Sequence, residues 1–364
     1  MTMSIVARTA WAVGVLLMLA DGASAQAAKK PKVRDSVEIK TRDSTRVPPM
    51  FTSERPLPVT FTTNLRQLRG DKGEEVPWRA ATMTYTAADG KSVVVPLRAK
   101  THGVWRLRRC DFPPVRLNVS NKESKGTVFH DLDKPKLTNY CRDNTQHEQY
   151  VLQEFQLYRI YQLLTPISHK VRLLRVTYAD SADQKPLATR YAFIFEDPDQ
   201  LGERLGGLKM RVKGASADDI DPAQGALVYV FEYFIGNTDF SFNGLHNGEI
   251  FSQTTGDVMP VAYDFDFSGA VNAHYASVDP SLPNKRVRQR LFRGYCVYAS
   301  QYPAAFDVFR KKKDAIYALY RDEIGALMDP KIVKETLEYF DEFYGTVNDA
   351  GSADRMLSSC VGPR

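Results

Sequence analysis

Residues 232–247 read EYFIGNTDFSFNGLHN, and residues 258–269 follow with VMPVAYDFDFSG. The first stretch ends an apolar, helix-like run at Gly236 and leaves Asn237, Thr238 and Asp239 in the next turn, with Asn243 and Asn247 further along. The second alternates as a strand does, so Asp264 and Asp266 are expected on one face, with Tyr263, Phe265 and Phe267 on the other. Acidic and amide groups set this close to apolar sequence are costly unless a cation or a reacting hydroxyl compensates them. Taken singly, each reads more simply as a cap or turn residue. Together, within about 30 residues, they fit phosphoryl transfer: a loop Asp accepts the proton of an attacking hydroxyl, while amide and carboxylate oxygens hold magnesium.

Upstream of these motifs the pattern is strands and turns. LPVTFTTNL alternates from Leu57, and ATMTYTAADGKSVVVPLRAKT reads as a hairpin about Ala88-Asp89-Gly90. PPVRLNV and KPKLTNYC follow as strands, and residues 147–165 place Val151, Phe155, Tyr158 and Leu164 at helical spacing. HKVRLLRVTYA and TRYAFIFED are strands about a polar turn, and beyond residue 200 the sequence is mostly helical. The expected domains are a strand-rich part with one helix over 51–200 and a mainly helical part carrying the acidic motifs over 201–364.

The chain opens with Arg8, an apolar run from Ala10 to Ala20, and Ala23-Ser24-Ala25 before Gln26. These are the parts of a secretory signal peptide, expected over 1–25, and the run is too short to span a bilayer. Residues 26–50 are charged and proline-punctuated, as a flexible leader would be. Export to the periplasm or cell envelope, or secretion beyond it, makes Cys110, Cys141, Cys296 and Cys360 candidates for two disulfides. Pairing Cys110 with Cys141 and Cys296 with Cys360 is favoured among the three arrangements. With no CxxC and six scattered His, zinc is not expected. A balance of 49 Lys and Arg against 43 Asp and Glu, without a basic block, argues against a nucleic-acid partner. No later segment is apolar enough to be an integral membrane span.

The order of strands before helices is that of protein-kinase-like folds, and the motifs carry a closer likeness. IGNTDFSFNGLHN with VAYDFDFSG resembles the segment of CotH-type spore-coat kinases in which a loop Asp and Asn precede a WDxDxSFG-like strand. It is also similar to the IGNTDxHxxN loop of HipA-type kinases, without the histidine that motif carries after its aspartate. KTHGVWRLRRCDFPPVRL and RYAFIFEDPD are similar to further strands of the CotH-type family. The resemblance covers roughly residues 57–300. It implies an α+β, two-lobed protein-kinase-like fold, with a strand-rich N-lobe and a mainly helical C-lobe.

Carried over residue by residue, Asp239 is the catalytic base. Asn247 or Asn243, with Asp264 and Asp266, holds metal. Glu196 lies at the adenine side, and Lys136 binds phosphate, paired with Glu154 or Glu148 on the following helix. No GxGxxG precedes the strands, so the RAKTHGVWRLRR turn, with Arg106, Arg108 and Arg109, is the candidate phosphate cover. The implied activity is an exported atypical kinase, moving phosphate from ATP to a hydroxyl of a protein, peptide or small molecule with Mg2+ or Mn2+. Two alternatives remain open: a non-catalytic binding or scaffold protein of the same fold with a structural calcium site, and nucleotidyl transfer.

Overall fold

The computed structural model describes residues 47–73 and 75–362. The signal peptide expected over 1–25 and most of the leader expected over 26–50 lie outside the described residues. The leader's last residues, 47–50, are described. Met50 is fully buried at the start of a short 3-10 turn, and its carbonyl accepts a hydrogen bond from Arg172.

The alternating segments form β1 (Leu57–Thr63), β2 (Arg79–Thr86), β3 (Ser92–Thr101), β4 (Val115–Asn118), β5 (Lys136–Thr138), β6 (Val171–Asp180) and β7 (Pro186–Phe195). Short helices α1 (Leu65–Gly70) and α2 (Trp105–Arg109) interrupt them. The β2–β3 hairpin turns at Gly90, whose φ of 81° suits glycine, as the Ala88-Asp89-Gly90 signal predicts. Six of the seven neighbouring pairs are antiparallel; β1 and β6 run parallel, Leu57 opposite Leu174 through Thr63 opposite Asp180.

That parallel pairing shuts the sheet into a closed barrel in the order β1-β2-β3-β4-β5-β7-β6. The expected two-lobed, protein-kinase-like architecture with a strand-rich N-lobe and a helical C-lobe is therefore overturned. The strands themselves lie where their periodicity puts them, but element order says nothing about which edges meet.

Helix α3 (Thr145–Leu164) begins at Asn144, whose side chain accepts from the His147 amide at 2.9 Å, and is buried on nearly every side. It packs on β6 and β7 and, on another face, on α6 (Tyr302–Ala318). After α4 (Pro198–Arg204), strands β8 (Gly207–Lys209), β9 (Gly248–Gln253) and β10 (Val258–Ala262) make a second, antiparallel sheet. Helix α5 (Pro222–Ile235) packs on β10, α6 and α7 (Pro330–Asn348), and α8 (Ala350–Leu357) follows α7. Phe234 anchors these helices, its ring 4.3 Å from Phe340, 5.0 Å from Phe343 and 5.2 Å from Phe309.

Both expected disulfides form, Cys110–Cys141 and Cys296–Cys360. They fit an oxidising compartment. Among the described residues, no helix is long and apolar enough to cross a membrane.

Candidate active site

Helix α5 ends at Gly236, which takes a left-handed φ of 67° and lets the chain turn sharply into Asn237-Thr238-Asp239. The Asn237 side chain accepts from the Asp239 amide at 3.0 Å. The second motif departs from expectation. Strand β10 stops at Ala262, and Asp264 has a φ of 65°, so Asp264 and Asp266 lie in a loop rather than along a strand. An Asp tolerates that left-handed backbone better than most residues. The Asp264 amide donates to Tyr158 Oη at 2.9 Å, and the Ala262 amide lies 3.4 Å from Tyr161 Oη, so α3 supports the turn. Phe265 is fully buried, whereas Tyr263 and Phe267 are half-buried and share a cavity with the two aspartates, so the expected division into two faces does not hold.

Backbone bonds hold the two motifs together: Gly269 N to Gly236 O at 3.0 Å, Ala270 N to Ile235 O at 2.9 Å and Tyr263 N to Asn247 O at 3.2 Å. They open onto one cavity of about 560 Å³. Its walls bring together Asp239, Asn247, Asp264, Asp266, Lys136, Glu154 and Arg106, seven of the twelve residues singled out in the sequence. Two of the others, Glu196 and Asn243, point elsewhere. Glu196 is buried against Arg204, at 2.8 Å, and accepts from the Lys170 amide; its neighbour Phe195 faces the cavity instead. Asn243 donates to the Ala215 carbonyl on the far side of its loop.

Glu154 does not pair with Lys136. It lies 4.0 Å from Arg106, which is also 3.9 Å from Asp266 and donates to the Asn139 carbonyl. Arg106 reaches the cavity because α2 is pinned at its end by the Cys110–Cys141 disulfide, and its buried Nε has no partner among the described residues. Arg108 and Arg109, the other basic residues of that turn, do not line the cavity. Glu148, the second candidate for Lys136, accepts from the Tyr191 amide instead. Lys136 Nζ sits 4.8 Å over Phe195 and 4.7 Å over Tyr263.

The electrostatics follow from burial. Burial, then Asp266 and Asp264, lift the Glu154 carboxyl well above its ordinary range against the pull of Arg106. Burial and Asp264 push Asp266 up to about 7. Burial opposes the Arg106 charge, but Tyr275, Asp266, Glu154 and Asp264 together outweigh it. Burial depresses Lys136, with Glu249 and Asp264 opposing. Burial and three cations hold His102 neutral, down to about 3. Carboxylates thus outnumber the cations around the cavity.

Three contributors were not singled out in the sequence. His246 Nε2 lies 2.8 Å from Asp239 Oδ1, meeting the aspartate from the far arm of its own loop. The Asn247 amide donates to Asp239 Oδ2 at 3.1 Å and to its carbonyl at 2.8 Å. Tyr275 donates to Asp266 Oδ2 at 3.0 Å, and Trp105 packs on Tyr275 and Phe267 at the rim. His246 stands in the stretch quoted first, seven residues past Asp239, and Trp105 within the RAKTHGVWRLRR turn beside Arg106; Tyr275 carries no such signal.

Among the described residues, no group of three or more His, Cys, Asp or Glu stands close enough together to hold a metal ion alone. The donor set nonetheless suits magnesium, which needs one or two carboxylates when phosphates and water supply the rest. The Asp264 carboxylate and the Asn247 side-chain oxygen accept no hydrogen bond from the described residues. No known family model matches the chain, and no curated protein is significantly similar to it.

Proposed function

We propose that the cavity is the catalytic centre of a phosphotransferase that uses a divalent cation and ATP to phosphorylate a hydroxyl group. One observation carries this reading: Glu154 and Asp266 are buried, and Asp264 half-buried, around a space to which the described residues supply only Arg106 and Lys136 as permanent cations. Such a surplus is costly to bury and is relieved by a divalent cation bound with phosphate oxygens.

When bound, the cation would be held by Asp264, Asp266 and Asn247 and would neutralise phosphate charge. Arg106 and Lys136, which line the cavity, serve the phosphates as donors. Asp239 Oδ accepts the acceptor's hydroxyl proton while His246 and Asn247 fix the carboxylate. The acceptor oxygen then forms its bond to the terminal phosphorus. The bond from that phosphorus to the bridging oxygen breaks, and its electron pair leaves with ADP. Tyr158, Phe195 and Tyr263 give the cavity an apolar lining suited to a nucleoside.

A structural calcium site is the less favoured reading. Calcium takes six to eight oxygen ligands, more than Asp264, Asp266 and Asn247 at the cavity wall supply between them.

The test is thermal unfolding of the protein with Mg2+, Mn2+ or Ca2+, each with and without ATP, beside Asp264→Ala. Saturation at about 100 times Kd stabilises by about 2.7 kcal/mol, a rise of several degrees. A shift needing metal and ATP together, and lost in the variant, supports the reading. A shift with Ca2+ alone, or none with ATP in any metal, defeats it.

A further inference from the structure

We propose that an open groove beside the active site docks an acidic polypeptide segment and so delivers the acceptor hydroxyl. The delivery rests on the phosphotransferase reading; the docking does not. The groove encloses about 1020 Å³ between the start of α3, which gives Gln146 and Tyr150, and residues 272–289. Lys285, Arg286 and Arg288 line it, and no carboxylate does.

Arg288 is fixed, donating to the Glu335 carbonyl at 3.0 Å with its guanidinium 4.6 Å over the Tyr339 ring. Lys285 and Arg286 are exposed, and neither has a carboxylate within 4 Å among the described residues. Three like charges converging on one concavity without counter-charge favour an anionic partner.

The shape selects a chain rather than a lipid surface. The charges line a depression, whereas a membrane site presents protruding cations beside inserted apolar side chains. Amide and hydroxyl groups between the cations, including Gln146, Gln289 and Ser277, suit the backbone of an extended peptide.

The groove also lies next to the chemistry. His274 and Ala276 line it, while Tyr275 between them turns away, donates to Asp266 and packs 5.2 Å from Trp105 at the cavity rim. One residue's thickness separates the two spaces.

The experiment measures fluorescence anisotropy of labelled 12-residue peptides with the protein in EDTA, without nucleotide. The peptides alternate Ser with Glu, Gly or Lys. The Ser/Glu peptide should bind at least about tenfold more tightly than the others. Lys285→Glu with Arg286→Glu should abolish that preference, and the two changes to Gln should weaken it part-way, both without altering Tm. Equal binding of all three peptides, or undiminished binding by the Glu variant, overturns the proposal. Binding of phosphatidylglycerol vesicles in place of the peptide also overturns it and assigns the groove to a membrane. If the wild type instead shows no shift with metal and ATP but keeps the Ser/Glu preference, the phosphotransferase reading falls and the docking site stands.

Discussion

Replacing Asp266 with Asn in the metal-free protein should stabilise it, against the usual effect of changing a buried polar residue. The carboxyl is buried beside Asp264 and is pushed up to about 7, from an ordinary value near 3.9. Holding it ionised above that range therefore costs the folded state up to about 4 kcal/mol, at 1.36 kcal/mol per unit. Relaxation of Arg106 and Tyr275 around the charge brings the recoverable part to about half, some 2 kcal/mol. The sign follows from folding raising the value. The cost is absent below about pH 4, where the group is protonated folded and unfolded alike; it grows as pH rises and is complete above pH 7.

The assay is thermal unfolding of wild type and Asp266→Asn in EDTA at pH 8 and pH 5. At about 2 °C per kcal/mol for a chain this long, the variant should melt roughly 4 °C higher at pH 8. At pH 5, where the wild-type group already carries its proton when folded, the gain should be less than half as large. Magnesium with ATP should reverse the order at pH 8, because only the wild type keeps its full ligand set. A variant that melts lower at pH 8, or shifts equally at both pH values, would show that the carboxylate surplus is not a strain on the fold and would remove the main support for the cation.

Two further outcomes test how the site is built. Gly236→Ala meets both a left-handed backbone and a collision, because an added Cβ falls 1.9 Å from Tyr339 Oη. We expect a loss of about 3 kcal/mol in urea unfolding, with part recovered when Tyr339→Phe removes that oxygen; no recovery would place the strain elsewhere. Converting Cys110 and Cys141 to Ser opens a loop with a sequence separation of 31 and should cost about 3–4 kcal/mol. It should also weaken the combined metal and ATP shift, since α2 carries Arg106, and an undiminished shift would detach Arg106 from ligand binding.

What was legible in the sequence is what local chemistry controls. Strands β1 to β7 and helix α3 stand where period-two and helical spacing put them, because burial of one face or one stripe dictates both patterns. The Asp239 turn was readable from Gly236. Barrel closure was not, because β1 must find β6 more than a hundred residues away, and nothing in the alternation of either names its partner. The DFD segment misled for a related reason. Its alternation is that of a strand, yet Tyr158 Oη takes the Asp264 amide and bends the chain out of the sheet. Glu196 and Asn243 were placed by likeness to a motif, and each is held by a neighbour, Arg204 and Ala215, that the motif does not contain.

The parallel seam between β1 and β6 also sets an order of assembly. On a chain emerging from its N-terminus, β1 pairs with β2 at once but keeps its other edge bare until Asp180 has appeared. Any shorter nascent chain holds an open, curling sheet with a free row of amides and carbonyls, which is a template for unwanted pairing. Closure is a long-range event and slow on topological grounds. The cavity must wait for it, since Lys136 on β5 and Phe195 at the end of β7 belong to the same ring of strands. Competence at the site is thus a property of the completed barrel, and it arrives late.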